Sequence, residues 1–306
     1  MKNKTIKTCI CTILIVSLLL LSSCQASDEN DSENSGSDTQ SSESYTQNYE
    51  SYTITFDPQK GHLDWESQVY KRSDTVEKLP QPTRENYAFM GWYTEKRGST
   101  KANFEEYNSA TGSSFKLYAR WAPKEYYQFD EKWAAQAYNN GENNDTVRGS
   151  GCGPGVMAIA DATINDSDAD IGTACKWSVD NDFFTTANGR TKDEFFEAYG
   201  KEHNLNVTQL NKDDLRNINI EEASKYHEEA FKKVKDGNWM VAFMGKGKWT
   251  TGGHFVLWYD ISDDEDVFIR DTNSMKPHKA QNTFEEFKKT VIRYWEIQVP
   301  DDKKLV

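Results

Sequence analysis

Two runs late in the chain, Trp239-Met240-Val241-Ala242-Phe243-Met244 and Gly253-His254-Phe255-Val256-Leu257-Trp258-Tyr259-Asp260, are apolar almost without interruption. Strands that alternate leave one face wet, whereas runs this continuous read as strands of a sheet covered on both sides. Asp266–Asp271 and Val291–Ile297 supply two more. Helical patterns precede them. Gly153 to Ala160 continues through Ala162 and Ile164 as a buried helix starting just after Cys152, and Thr191 stands before Asp193 and Glu194, a helix start with acid in its first turn. Ile220–Lys235 carries Ala223, Tyr226, Ala230, Phe231 and Val234 at helical spacing. Residues 124–306 are therefore expected to form one α+β core.

The rest of the 306 residues divides sharply. Lys2, Lys4 and Lys7 precede an apolar run from Cys9 through Leu21, too short for a comfortable membrane span of roughly 20 residues and read as a secretory signal. The run ends in Leu21-Ser22-Ser23-Cys24, which resembles a bacterial lipobox. That resemblance implies cleavage of residues 1–23, a diacylglycerol on Cys24, and a protein anchored on the outer side of a bacterial membrane. The formal charge is −13, and losing those three Lys leaves −16, which argues against a nucleic-acid partner. Residues 25–50 hold seven acidic residues and no Lys or Arg, so residues 24–50 are expected to be a disordered acidic tether. Five Cys are too few for a disulfide framework.

Residues 51–123 lean towards β structure. Tyr52–Phe56 alternates, Lys60-Gly61 supplies a turn, Val69–Val76 offers a second strand and Phe115–Trp121 alternates again. Thr55-Phe56-Asp57-Pro58, Leu79-Pro80-Gln81-Pro82-Thr83-Arg84, Phe89-Met90-Gly91-Trp92-Tyr93 and Leu117-Tyr118-Ala119-Arg120-Trp121 resemble the Listeria-Bacteroides repeat, the B-repeat type of internalins. The resemblance implies one β-grasp-like module, a spacer or else a binding unit, with Trp92 and Trp121 in its core. Gln59-Lys60-Gly61 stands where that family usually has Asn-Gly-Gly.

Cys152 lies between glycines with Pro154 in the first helical turn, so its sulfur is expected at a helix N-terminus, where partial positive charge favours a thiolate. His254 opens an apolar strand behind Gly252-Gly253, and Asp271 ends the next strand, within reach across a two-strand ladder. His62 falls in the β module, and His203, His227 and His278 read as surface residues. Cys152 as one half of a disulfide with Cys175 is the competing reading.

Tyr127-Gln128 with Asp130 and Trp133, Gly151-Cys152-Gly153-Pro154, Gly252-Gly253-His254-Phe255-Val256-Leu257 and Arg270-Asp271-Thr272-Asn273-Ser274 resemble the papain-like cysteine peptidases. The nearest branch is that of the bacteriocin-processing, double-glycine leader peptidases. The resemblance implies a Cys-bearing helix packed on an antiparallel sheet that carries His and Asp. It implies Cys152 as nucleophile, His254 as base and acid, Asp271 as its orienter and Gln128 as oxyanion-hole donor, with no cofactor and no metal. That glutamine usually lies a few residues before the cysteine, whereas 24 positions separate them here, and Asp-Pro is common where this chain has Asp271-Thr272. Trp249, Trp258 and the Gly245–Lys248 loop are candidates to wall a substrate groove, with core packing and an exposed turn as the alternative. The expectation is a monomeric peptidase acting on peptides or proteins. An amidase or transglutaminase-like acyltransferase with the same triad, and a non-catalytic surface binding protein, are the alternatives.

Overall fold

A computed structural model describes residues 50–73, 79–109, 112–141, 143–187 and 190–306. The expected signal peptide, Cys24 and the tether up to residue 49 lie outside the described residues.

The first module begins with strict alternation. In β1 (Ser51–Asp57) Tyr52, Ile54 and Phe56 are buried and the residues between them partly exposed, as the two-residue period of a strand requires. β2 (Ser67–Lys71), β3 (Tyr87–Tyr93), helix α1 (Phe104–Ser109) and β4 (Ser114–Pro123) follow. The sheet order is β2-β1-β4-β3, with β1 parallel to β4 and the other pairs antiparallel. A parallel pair needs a crossover, and α1 lies within it. The second strand is shorter and earlier than Val69–Val76, and Val76 is outside the described residues. Trp92 and Trp121 are both core residues, and each buried indole donates to a proline carbonyl, Pro80 at 2.9 Å and Pro58 at 2.8 Å. At the Gln59-Lys60-Gly61 turn the left-handed φ falls on Gln59 (45°) and Lys60 (67°), not on the glycine. Gly61 is needed for space, because a Cβ there would lie 2.3 Å from the Trp121 ring.

The second domain is built on a six-stranded antiparallel sheet. Helices α2 (Val147–Ser150), α3 (Cys152–Ile164), α4 (Ile171–Asp180) and α5 (Glu194–Glu202) come first, followed by β5 (Asn206–Gln209) and α6 (Ile220–Lys235). Then come β6 (Trp239–Met244), β7 (His254–Ile261), β8 (Asp266–Arg270), α7 (Pro277–Ala280), β9 (Gln281–Thr283), α8 (Phe284–Lys288) and β10 (Val291–Gln298). The strand order is β5-β10-β6-β7-β8-β9. Every residue of β6 and β7 is buried, because successive side chains serve two different cores. Trp239, Val241, Phe243, Phe255 and Leu257 join the cluster containing α3 and α5, while Met240, Ala242, Val256 and Trp258 join the one containing α6 and α8. Helix α3 is buried over its whole length and packs on β7.

The repeat module is packed against this domain rather than joined to it by the chain alone. Arg120 of β4 forms a buried ion pair with Asp260 of β7 at 3.6 Å, and its guanidinium lies 4.2 Å from the Phe268 ring centre. Arg270 donates through Nε and a terminal nitrogen to the Pro123 carbonyl at 3.0 and 2.7 Å and pairs with Glu125 at 2.8 Å. Lys60 and Arg84 donate to backbone carbonyls of the C-terminal segment, and the Tyr87 hydroxyl donates to that of Lys303.

Candidate active site

The N-terminus of α3 is assembled by close approaches that only glycine permits. A Cβ on Gly153 would fall 2.5 Å from Thr191 Oγ1, and one on Gly155 would fall 3.0 Å from the Thr272 methyl group. The helix expected after Thr191 begins at Glu194 with acid in its first turn, while Thr191 itself pairs with Phe184 in an isolated bridge and hydrogen-bonds the Tyr138 hydroxyl at 2.9 Å. Cys152 is the first residue of α3 and 5% exposed. The first amides of any helix lack intrahelical acceptors, and the Cys152 amide is one of them.

His254 is the first residue of β7 and Asp271 the residue after β8. The two strands run antiparallel, which brings the start of one beside the end of the other. His254 Nε2 lies 2.7 Å from Asp271 Oδ1, and that oxygen also accepts from the Asn273 N–H at 2.9 Å. The Cys152 side chain lies near enough to the imidazole to act on its protonation alongside Asp271. Burial alone would push the His254 ring down, but the hydrogen bonds with Asp271 and Cys152 outweigh it and hold the ring well above the usual histidine range. Such an arrangement favours an imidazolium beside the sulfur.

Gln128 is buried between the Asp271-Thr272 segment and helix α2. Its backbone N–H donates to the Thr272 carbonyl at 2.8 Å, its side-chain nitrogen to the Arg148 carbonyl at 2.6 Å, and its side-chain oxygen accepts from the Thr272 hydroxyl at 3.0 Å. The 24-residue gap from Gln128 to Cys152 is thus bridged by Arg148, in the short helix leading to the cysteine.

Cys152 and Cys175 are both free thiols, so the disulfide reading is not borne out. Cys175 lies under the Cys152 helix end, where a Cβ on Gly151 would be 3.1 Å from its sulfur, and burial pushes its thiol well above the ordinary range. Trp258 packs on Phe284 and Phe287 in the α6/α8 core, and Trp249 packs on Phe287 and donates to the Lys279 carbonyl. Core packing, not a groove wall, describes both; Lys246, Gly247 and Lys248 form an exposed turn. His62 is exposed, but His203 and His227 are half-buried rather than surface residues. His203 Nδ1 sits 2.9 Å from Asp161, and His227 Nδ1 lies 3.1 Å from the Tyr294 hydroxyl. The side chain of His278 is outside what the structure describes. Among the described residues no group of three or more His, Cys, Asp or Glu is arranged to hold a metal.

Thr272 and the Arg148 carbonyl are the parts of this site that the sequence did not disclose. Asp271-Thr272 was legible as a motif, but a contact reaching back 144 positions to Gln128 has no local signal. No curated protein is significantly similar to the chain. Residues 52–120, which span all but the ends of the β1–β4 module, match the family of the Listeria-Bacteroides repeat domain.

Proposed function

We propose that the chain is a lipid-anchored cysteine hydrolase of papain-like type, held outside a bacterial membrane through Cys24 and cutting peptide bonds with Cys152, His254 and Asp271. The single observation that carries this reading is the buried His254 ring at the start of β7, 2.7 Å from Asp271 through Nε2, with Cys152 of the α3 N-terminus near enough to act on its protonation. Cys152 attacks the substrate carbonyl carbon, forming an S–C bond, and the developing oxyanion is met by the Cys152 N–H and the Gln128 amide. The His254 imidazolium gives its proton to the leaving amine as the C–N bond breaks. The neutral ring then takes a proton from water, hydroxide adds to the thioester, and expulsion of the sulfur releases the acid. Asp271 keeps the ring oriented throughout. The same steps ending on an amine rather than water give acyl transfer, and the substrate decides between the two.

The test is incubation of the full chain with a denatured protein and, separately, with peptidoglycan, read by mass spectrometry beside Cys152→Ala. New peptides that depend on Cys152 support the peptidase. Cleavage confined to cell-wall cross-bridges supports the amidase instead, and no Cys152-dependent product from either overturns both.

A further inference from the structure

The geometry points to Thr272 as a positioning residue that sets the orientation of the Gln128 amide towards the reacting carbonyl. This rests on the reading of Cys152 as an acyl-transfer nucleophile and goes beyond it. A primary amide has two faces of nearly equal shape, a carbonyl oxygen and an NH₂, and only the NH₂ face stabilises an oxyanion. An amide free to turn spends part of its time presenting the oxygen, which repels the developing charge.

Gln128 is denied that freedom by two contacts on its side-chain amide, while a third holds its backbone. The Arg148 carbonyl can only accept, so at 2.6 Å it must face the amide nitrogen. The Thr272 hydroxyl at 3.0 Å donates to the amide oxygen, and the Thr272 carbonyl fixes the Gln128 backbone at 2.8 Å. One amide hydrogen is spent on Arg148, which leaves the second hydrogen of the same nitrogen for a substrate oxyanion. Thr272 is fully buried and follows Asp271 directly, so one turn of chain orients both the imidazole and the oxyanion donor. Its methyl group also packs against Gly155 of the Cys152 helix. A proline at this position has no hydroxyl and cannot supply the bond to the amide oxygen.

The experiment compares two reagents on the full chain. Iodoacetamide alkylates Cys152 by displacement at a saturated carbon and needs no oxyanion hole. p-Nitrophenyl acetate acylates it through a tetrahedral oxyanion, releasing p-nitrophenolate before water hydrolyses the acetyl thioester. Thr272→Val keeps the shape and removes the hydroxyl, and is expected to slow ester acylation by about a hundredfold. The iodoacetamide rate should change less than about twofold, since the Cys152–His254–Asp271 set is untouched. Thr272→Ser should restore ester acylation, and adding Thr272→Val to Gln128→Ala should cause no further loss. Ester acylation by Thr272→Val at the wild-type rate would overturn the assignment, as would equal losses with both reagents. Wild type that releases no more p-nitrophenolate than Cys152→Ala would instead overturn the hydrolase reading itself, and the assignment with it.

Discussion

Asp260 and Arg120 are each only 5% exposed at the side chain and sit 3.6 Å apart across the junction of the repeat module and the sheet. Removing one partner of a buried pair leaves an uncompensated charge and costs about 3–5 kcal/mol. The two single variants should not cost the same. Burial already raises the Asp260 carboxyl, with Arg120 and Arg97 opposing it, so in Arg120→Met the acid can escape by taking up a proton. Arg120 has no such escape, and Asp260→Leu also strands Arg97, which lies 3.8 Å from the same carboxylate. We therefore expect Asp260→Leu near the upper end of that range and Arg120→Met near or below the lower. The double variant should cost less than Asp260→Leu alone, because Arg120 is then no longer left as an unpaired buried charge and only the more exposed Arg97 stays stranded. Urea unfolding of the full chain, followed by tryptophan fluorescence, measures all three. Single variants within about 1 kcal/mol of wild type, a reversed order, or simple additivity would refute the argument.

Other outcomes follow from the same geometry. Gly153→Ala forces a Cβ to within 2.5 Å of Thr191 Oγ1 and should cost about 1–3 kcal/mol in unfolding while depressing Cys152 reactivity, whereas Gly252→Ala meets nothing within 4 Å and should be mild. The His254 ring is held above the usual histidine value of 6.5, so its contribution to stability is complete below that pH and is lost as pH rises towards the folded-state value. His254→Gln should remove that alkaline decline, which unfolding titrations would reveal. His227 is pushed down to about 4, mainly by burial, with Lys288 adding to the effect and Glu285 opposing it. The unfolded state then binds the extra proton first, so stability should fall between about pH 6.5 and 4, and His227→Gln should flatten that limb. Native alkylation followed by peptide mapping should find Cys175 unlabelled and no Cys152–Cys175 crosslink, in keeping with two free thiols of which Cys175 is wholly buried.

What the sequence disclosed depended on how local its signal was. Helix α6 and strand β6 fall on the expected residues, since a clear 3.6-residue period and an unbroken apolar run each identify themselves. Strand β3 was quoted only as a motif: a bulge between Phe89 and Gly91, with Gly91 at φ 123°, breaks the alternation that marks a strand. Strand β5 reads Asn-Val-Thr-Gln, an edge strand with almost nothing apolar to reveal it. Helix α4 starts with an Asp170–Thr173 capping box, a signal present in the sequence but weaker than the Ser/Thr…Glu form. The Cys152, His254 and Asp271 positions were readable because each sits at the end of an element whose limits were readable. The docking of the repeat was not, because Arg120 and Arg270 look like ordinary strand cations until their partners, Asp260 and the Pro123 carbonyl, are known.

The central claim is that one imidazole activates one sulfur, and the rate of iodoacetamide labelling at Cys152 near pH 6, in wild type and in His254→Ala, tests it most directly. The account predicts rapid wild-type labelling that drops at least about tenfold when the ring is removed, because the sulfur then loses the base that takes its proton. Equal rates in the two proteins would contradict it.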